Sequence, residues 1–133
     1  MHLDELRDHC LAKQGVTEGF PFGPDTLVFK VADKMFALTN LEWPEPAVNL
    51  KCDPERAVGL RERYRDVRPG YHMSKVHWNT VGLRGDVPSS LVRELVDHSY
   101  DLVVSKLTRS ARAALEDASD QAVRTANSRP TSA

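Results

Sequence analysis

Arg68, Tyr71, His72, Lys75 and His77 fall within one short stretch, opened by Pro69-Gly70 and closed by Trp78. Imidazoles titrate near neutrality, so a His-x4-His pair could act as a general acid and base or offer two metal ligands. Zinc needs a third or fourth ligand close by. No Cys pair or His-Glu-x-x-His pattern supplies one. In an extended segment His77 shares a face with Lys75, and that ammonium opposes a metal ion. The competing reading has both histidines bonding backbone or lining a groove. No Ser or Cys nucleophile signature accompanies them. The expectation is therefore no catalytic residue, no metal, no cofactor and no enzymatic activity.

The same residues suit binding better. Tyr71 sits between Arg68 and Lys75, so a base stacked on the ring would find a cation for its phosphate. Upstream, Arg61, Arg63 and Arg65 lie on a predicted helix, and guanidinium forks match phosphate oxygens. An arginine-rich helix face is also commonly just solvated, and Glu62 and Asp66 are in range to pair with it.

Charge distribution carries more than the net value of −1. Residues 1–50 hold four Lys/Arg against eight Asp/Glu, a net of −4. Residues 51–84 hold eight against four, a net of +4, and residues 85–133 six against seven, a net of −1. A sequence pI near 6.5 is below that of a dedicated nucleic-acid domain, so attraction to phosphates must be local. Cys10 and Cys52 are far apart and each lies in an apolar pattern, which predicts buried, reduced thiols. No apolar run approaches the ~20 residues needed to span a bilayer, and the acidic N-terminus is no signal peptide. A cytoplasmic protein without membrane contact is expected.

These side chains must be held by a fold of modest size, since 133 residues suit one domain. Leu3, Leu6, Cys10 and Leu11 make a helical stripe over residues 3–14, with Gly15 as the stop. Phe20-Pro21-Phe22-Gly23-Pro24-Asp25 is irregular, its aromatics folding back over the sheet. Residues 26–32 and 34–41 read as a hairpin, and residues 47–52 as a third strand. Leu27, Phe29 and Val31 should share one face, and Phe36 and Leu38 one face of the next strand.

Asp53-Pro54-Glu55 starts a helix running to about Arg65 and burying Ala57, Leu60 and Tyr64. Residues 78–84 alternate as a fourth strand, with Trp78 anchoring it to the core. A long helix over 88–107 follows, its seam formed by Leu91, Leu95, His98 and Leu102 with Val92, Val96, Ser99 and Val103 beside it. Residues 110–115 add a short helix, and residues 116–133 a flexible tail. The fold class is α+β: an antiparallel sheet packed with helices, in the order helix, three-strand meander, helix, strand, long helix.

This order, with the blocks 20–25, 28–38, 49–55, 69–81 and 97–103, resembles the MmcQ/YjbR-like family of small bacterial proteins over residues 1–115. The resemblance implies a CyaY-like fold, similar to frataxin, and a DNA-binding role through a double wing of β-hairpins. On that reading Arg61, Arg63, Arg65, Arg68, Tyr71, His72, Lys75 and His77 would form the contact surface, with DNA as partner. The alternative is a module that binds a protein or small anion in the same cleft. The acidic first helix, with His2, Asp4, Glu5 and Asp8, is explained by capping and solubility rather than by metal.

Overall fold

The computed structural model describes residues 1–71 and 73–117. Helix α1 (Leu3–Leu11) leads into strands β1 (Val16–Gly19), β2 (Thr26–Val31), β3 (Lys34–Asn40) and β4 (Ala47–Lys51). Then come α2 (Pro54–Arg63), β5 (Val67–Pro69), β6 (Trp78–Gly82) and α3 (Ser89–Ser105). Residues 109–117 are also helical. The strands form one antiparallel sheet in the order β1-β2-β3-β4-β6-β5. The α+β class expected from the sequence is the observed one.

Helices α1, α2 and α3 lie on one face of this sheet. The core there joins Leu6 and Cys10 of α1, Phe29, Val31, Val48, Leu50 and Val81 of the sheet, and Val92, Leu95 and Val96 of α3. Tyr100 packs edge-on against Phe36 with ring centroids 5.5 Å apart, and its hydroxyl donates to the Gln14 carbonyl at 2.7 Å. Ser99, fully buried, donates to the Phe36 carbonyl at 2.6 Å and accepts the Lys51 N–H at 2.9 Å. That one hydroxyl ties α3 to two strands. Arg56 of α2 pairs with Glu94 of α3 at 3.1 Å, and His9 and Lys13 both reach Asp97.

Several local expectations shift. Two short strands escape the pattern: β1 is only Val-Thr-Glu-Gly, and β5 is three residues ending in proline. Phe36 and Leu38 do not share a face. Phe29 pairs with Ala37 but Lys30 with Met35, so Phe36 is an extra residue in a β-bulge. The bulge keeps both Phe36 and Ala37 in the core and turns Leu38 to the opposite side. Helix α1 ends three residues early, at Leu11, and Gly15 then takes a left-handed φ of 71°. Helix α2 stops at Arg63 because Tyr64 is extended. The buried stripe of α3 is Val92, Leu95, Val96, Ser99, Tyr100 and Val103, so Leu91, His98 and Leu102 lie at its margin. Trp78 is buried but stands outside the main core cluster. Glu116 and Asp117, expected in the tail, are helical, and the rest of that tail lies outside the described residues.

Candidate binding site on the helix-free face

Cross-strand register defines the opposite face of the sheet, which no helix among the described residues covers. Val28 pairs with Leu38, Leu38 with Asn49, Asn49 with Thr80, and Thr80 with Arg68. Directly paired residues project to the same side, so this row crosses five strands away from the helices. Its centre is polar and buried. Thr80 donates its hydroxyl to Asn49 Oδ1 at 2.6 Å, and the Thr80 hydroxyl oxygen in turn accepts the Tyr71 N–H at 3.1 Å. Asn49 Nδ2 donates to the Tyr71 carbonyl at 3.2 Å. Both backbone groups of Tyr71 are thereby fastened to the sheet, in a closed network whose bonds reinforce one another.

Gly70 makes the approach possible. A Cβ there would lie 2.7 Å from the Trp78 Cβ, while the Gly70 N–H donates to the Trp78 carbonyl at 2.8 Å. The chain then turns Tyr71 outward, 56 % exposed, with its ring edge-to-face on Trp43 at 5.9 Å and 81°. This pair separates two adjoining pockets. One, of about 370 Å³, is lined by Trp43, Ala47, Arg68, Tyr71 and Thr80, with the Glu45 carboxylate also on its wall. The other, of about 340 Å³, is lined by Phe22, Met35, Leu38, Trp43, Tyr71 and Met73. Phe22 at its rim is 67 % exposed and Phe20, beside Val28 and Lys30, 50 %, so the aromatics of the 20–25 segment border hollows on the sheet but stay largely open to solvent.

The cationic residues named from the sequence do not all gather here. Arg68 lines the first pocket, on the same face as Tyr71. Arg61 and Arg63 sit on α2, in the helix layer. There Arg61 donates to the Ala57 carbonyl at 3.2 Å and Arg63 to the Tyr64 hydroxyl at 3.2 Å, its guanidinium 5.5 Å from that ring. Exposed Arg65 follows α2, its N–H donating to Asp86 at 2.8 Å. Lys75 and His77 are exposed in the loop before β6, where the His77 carbonyl accepts the Cys52 N–H at 2.8 Å. His72 lies outside the described residues. The basic stretch thus divides between two faces of the sheet.

The sequence pattern places Asn49 in the third strand and gives it no role. The signal was there: asparagine is depleted in strands, so one flanked by Val48 and Leu50 marks a special position. Both thiols are buried and free, and burial pushes Cys10 up to about 12, leaving no thiolate nucleophile at neutral pH. Among the described residues no group of three or more His, Cys, Asp and Glu side chains could hold a metal ion. None of their helices is long and apolar enough to cross a membrane. What the arrangement offers is two aromatic-walled hollows, a guanidinium and a rigid floor.

Comparison with known proteins places the fold. A family model described as YjbR matches residues 11–102. The uncharacterised protein YjbR of Escherichia coli (strain K12) is 39 % identical over 112 residues, covering 84 % of this chain and 95 % of that protein. The uncharacterised YbdF of Escherichia coli O157:H7 is 38 % identical over 90 residues, covering 68 % of this chain and 74 % of its own. The crystal structure of Deinococcus radiodurans protein DR2400, a DUF419 domain, superposes with a TM-score of 0.81 at 42 % identity, covering 86 % of this chain and 87 % of that one. A Pseudomonas syringae protein superposes at 0.68 and 28 % identity, over 77 % and 98 % of the two chains. With the family match spanning all six strands of the sheet, α2 and most of α3, the chain belongs to the YjbR family of small α+β proteins.

Proposed function

We propose that this domain is a non-catalytic DNA-binding module that receives unstacked bases on the helix-free face of its sheet. The observation that carries this reading is the fastening of Tyr71 by Asn49 and Thr80, which holds an exposed ring beside Trp43 and Arg68. A base stacks on either aromatic, and Arg68 takes an adjoining phosphate. Lys75 contributes charge from the neighbouring loop. Stacking platforms of this kind favour single strands, because a duplex hides its base faces. The arginines of α2 face another direction and contribute only general attraction.

Salt dependence tests it. Affinity for a short single-stranded oligonucleotide falls as salt rises, and Arg68→Ala with Lys75→Ala lowers the slope of log K against log salt by about 1.4, at roughly 0.7 per phosphate. Tyr71→Ala weakens binding with the slope unchanged, by ~1–3 kcal/mol for one lost stack. Absence of binding at low salt, or full affinity in Tyr71→Ala, rejects the proposal.

A second reading rests on the other pocket. Phe22, Met35, Leu38 and Met73 give it an apolar lining, which suits a protein side chain or an apolar ligand group better than a phosphate. Under that reading Leu38→Asp abolishes binding of the partner while Arg68→Ala has little effect.

A further inference from the structure

At the end of the sheet nearest the β2–β3 turn, three lysines converge on one hollow. Lys34 begins β3, Lys51 ends β4, and Lys106 caps the C-terminal end of α3. With Met35, Thr108 and Ala111 they line a cavity of about 490 Å³. Neither Arg68 nor Tyr71 belongs to it. We infer that this hollow is a binding site for a phosphate-bearing anion, held by Lys34, Lys51 and Lys106 with the Thr108 end of the helix over residues 109–117.

Three observations carry the inference. First, the charges are uncompensated: among the described residues no ion pair involves Lys34, Lys51 or Lys106. Second, the usual duty of a lysine at a helix C-terminus is already discharged. Arg112 donates to the carbonyls of Val104 and Ser105 at 3.2 and 3.0 Å, leaving the Lys106 ammonium to the cavity. Third, the helix over residues 109–117 starts at Thr108, which accepts the N–H groups of Ala111 and Arg112. The positive end of its dipole therefore adds to the lysines.

The free protein bears a cost for this arrangement. Lys51 is half-buried, and burial first, then repulsion from Lys106, draws its pKa below 10.5. A bound dianion cancels the repulsion and offsets the desolvation with its own opposite charge. Lysine acts here as a point charge, so the site selects charge and size more than the shape of the oxygen array. Orthophosphate, a diphosphate or a phosphate ester shares the required chemistry.

The test uses the full chain and inorganic pyrophosphate, followed by melting midpoint and by amide chemical shifts, against chloride at matched ionic strength. Pyrophosphate should raise the midpoint with the logarithm of its concentration and shift the amides of Lys34, Lys51 and Thr108. Lys106→Met and Lys51→Met should each weaken binding about tenfold, yet melt no lower than the parent without anion, because each removes a repulsion. Arg84→Met, outside the cavity, should bind like the parent. A nucleoside diphosphate run in parallel identifies the source: equal affinity assigns a free phosphate, tighter binding an esterified one. No midpoint rise beyond that of chloride, or parent-level binding in both Lys106→Met and Lys51→Met, overturns the site.

Discussion

Thr80 sits opposite Asn49 in the β4–β6 ladder, and its hydroxyl donates to the Asn49 side-chain oxygen at 2.6 Å. A buried polar pair at the middle of a sheet stabilises little unless every group is satisfied, and here the backbone of Tyr71 completes it. The pair therefore builds the site from the inside.

Thr80→Val removes one hydroxyl and leaves the Tyr71 N–H and the Asn49 oxygen without it. The expected cost is about 1–3 kcal/mol, the range for buried groups stripped of a partner. Urea unfolding measures it. Ligand affinity should drop as well, since the ring of Tyr71 is no longer held. An unchanged midpoint with unchanged affinity would show that the network positions nothing.

The β2–β3 turn stores strain. Ala32 and Asp33 have φ values of 48° and 63°, as a two-residue hairpin turn with left-handed central residues demands. Aspartate tolerates this conformation, whereas alanine pays about 1–2 kcal/mol for its Cβ. Ala32→Gly should raise stability by roughly 0.5–1 kcal/mol, after the entropy glycine adds to the unfolded chain. Thermal or urea denaturation decides it, and a destabilised variant would contradict the turn geometry.

Helices α2 and α3 meet through an imidazole. His98 Nε2 accepts the Asp53 N–H at 3.1 Å, at the residue that caps α2. Burial first, then the nearby Arg56 guanidinium, holds its pKa below the ordinary 6.5. The folded state thus resists a proton that the unfolded chain accepts. His98 therefore contributes stability fully above pH 6.5, and the contribution is lost as pH falls through the lowered folded value. His98→Gln, which keeps an acceptor but does not titrate, should give a flatter stability profile between pH 7.5 and 5. Parallel profiles for parent and variant would exclude the imidazole as the cause.

How much of this was legible in the residues follows from what each signal measures. Asp53-Pro54-Glu55 announces α2 through its own local chemistry, and Asp53 does accept the Arg56 N–H at 3.2 Å. The apolar period of α3 locates the helix, but not which of two adjacent stripes is buried, because Leu91 and Leu102 are as apolar as Val92 and Val103. Strands β1 and β5 owe their existence to β2 and β6, whose ladders they complete at the two edges. Val-Thr-Glu-Gly, or three residues ending in proline, carry no such information themselves. The bulge at Phe36 is likewise a property of pairing. At the site, Arg68 and Tyr71 could be named from composition around Pro69-Gly70. The separation of Arg61 and Arg63 from them could not, since it depends on which face α2 packs against. The lysine hollow joins residues 34, 51 and 106, a convergence only the folded chain reveals.

The most direct measurement is a backbone amide and tryptophan side-chain chemical-shift titration of the protein with a short single-stranded oligonucleotide at low salt. The helix-free reading predicts shifts concentrated at Trp43, Arg68, Tyr71 and Thr80, with the amides of α2 from Arg56 to Arg63 unmoved. Shifts centred on α2, or no shifts anywhere, would contradict it.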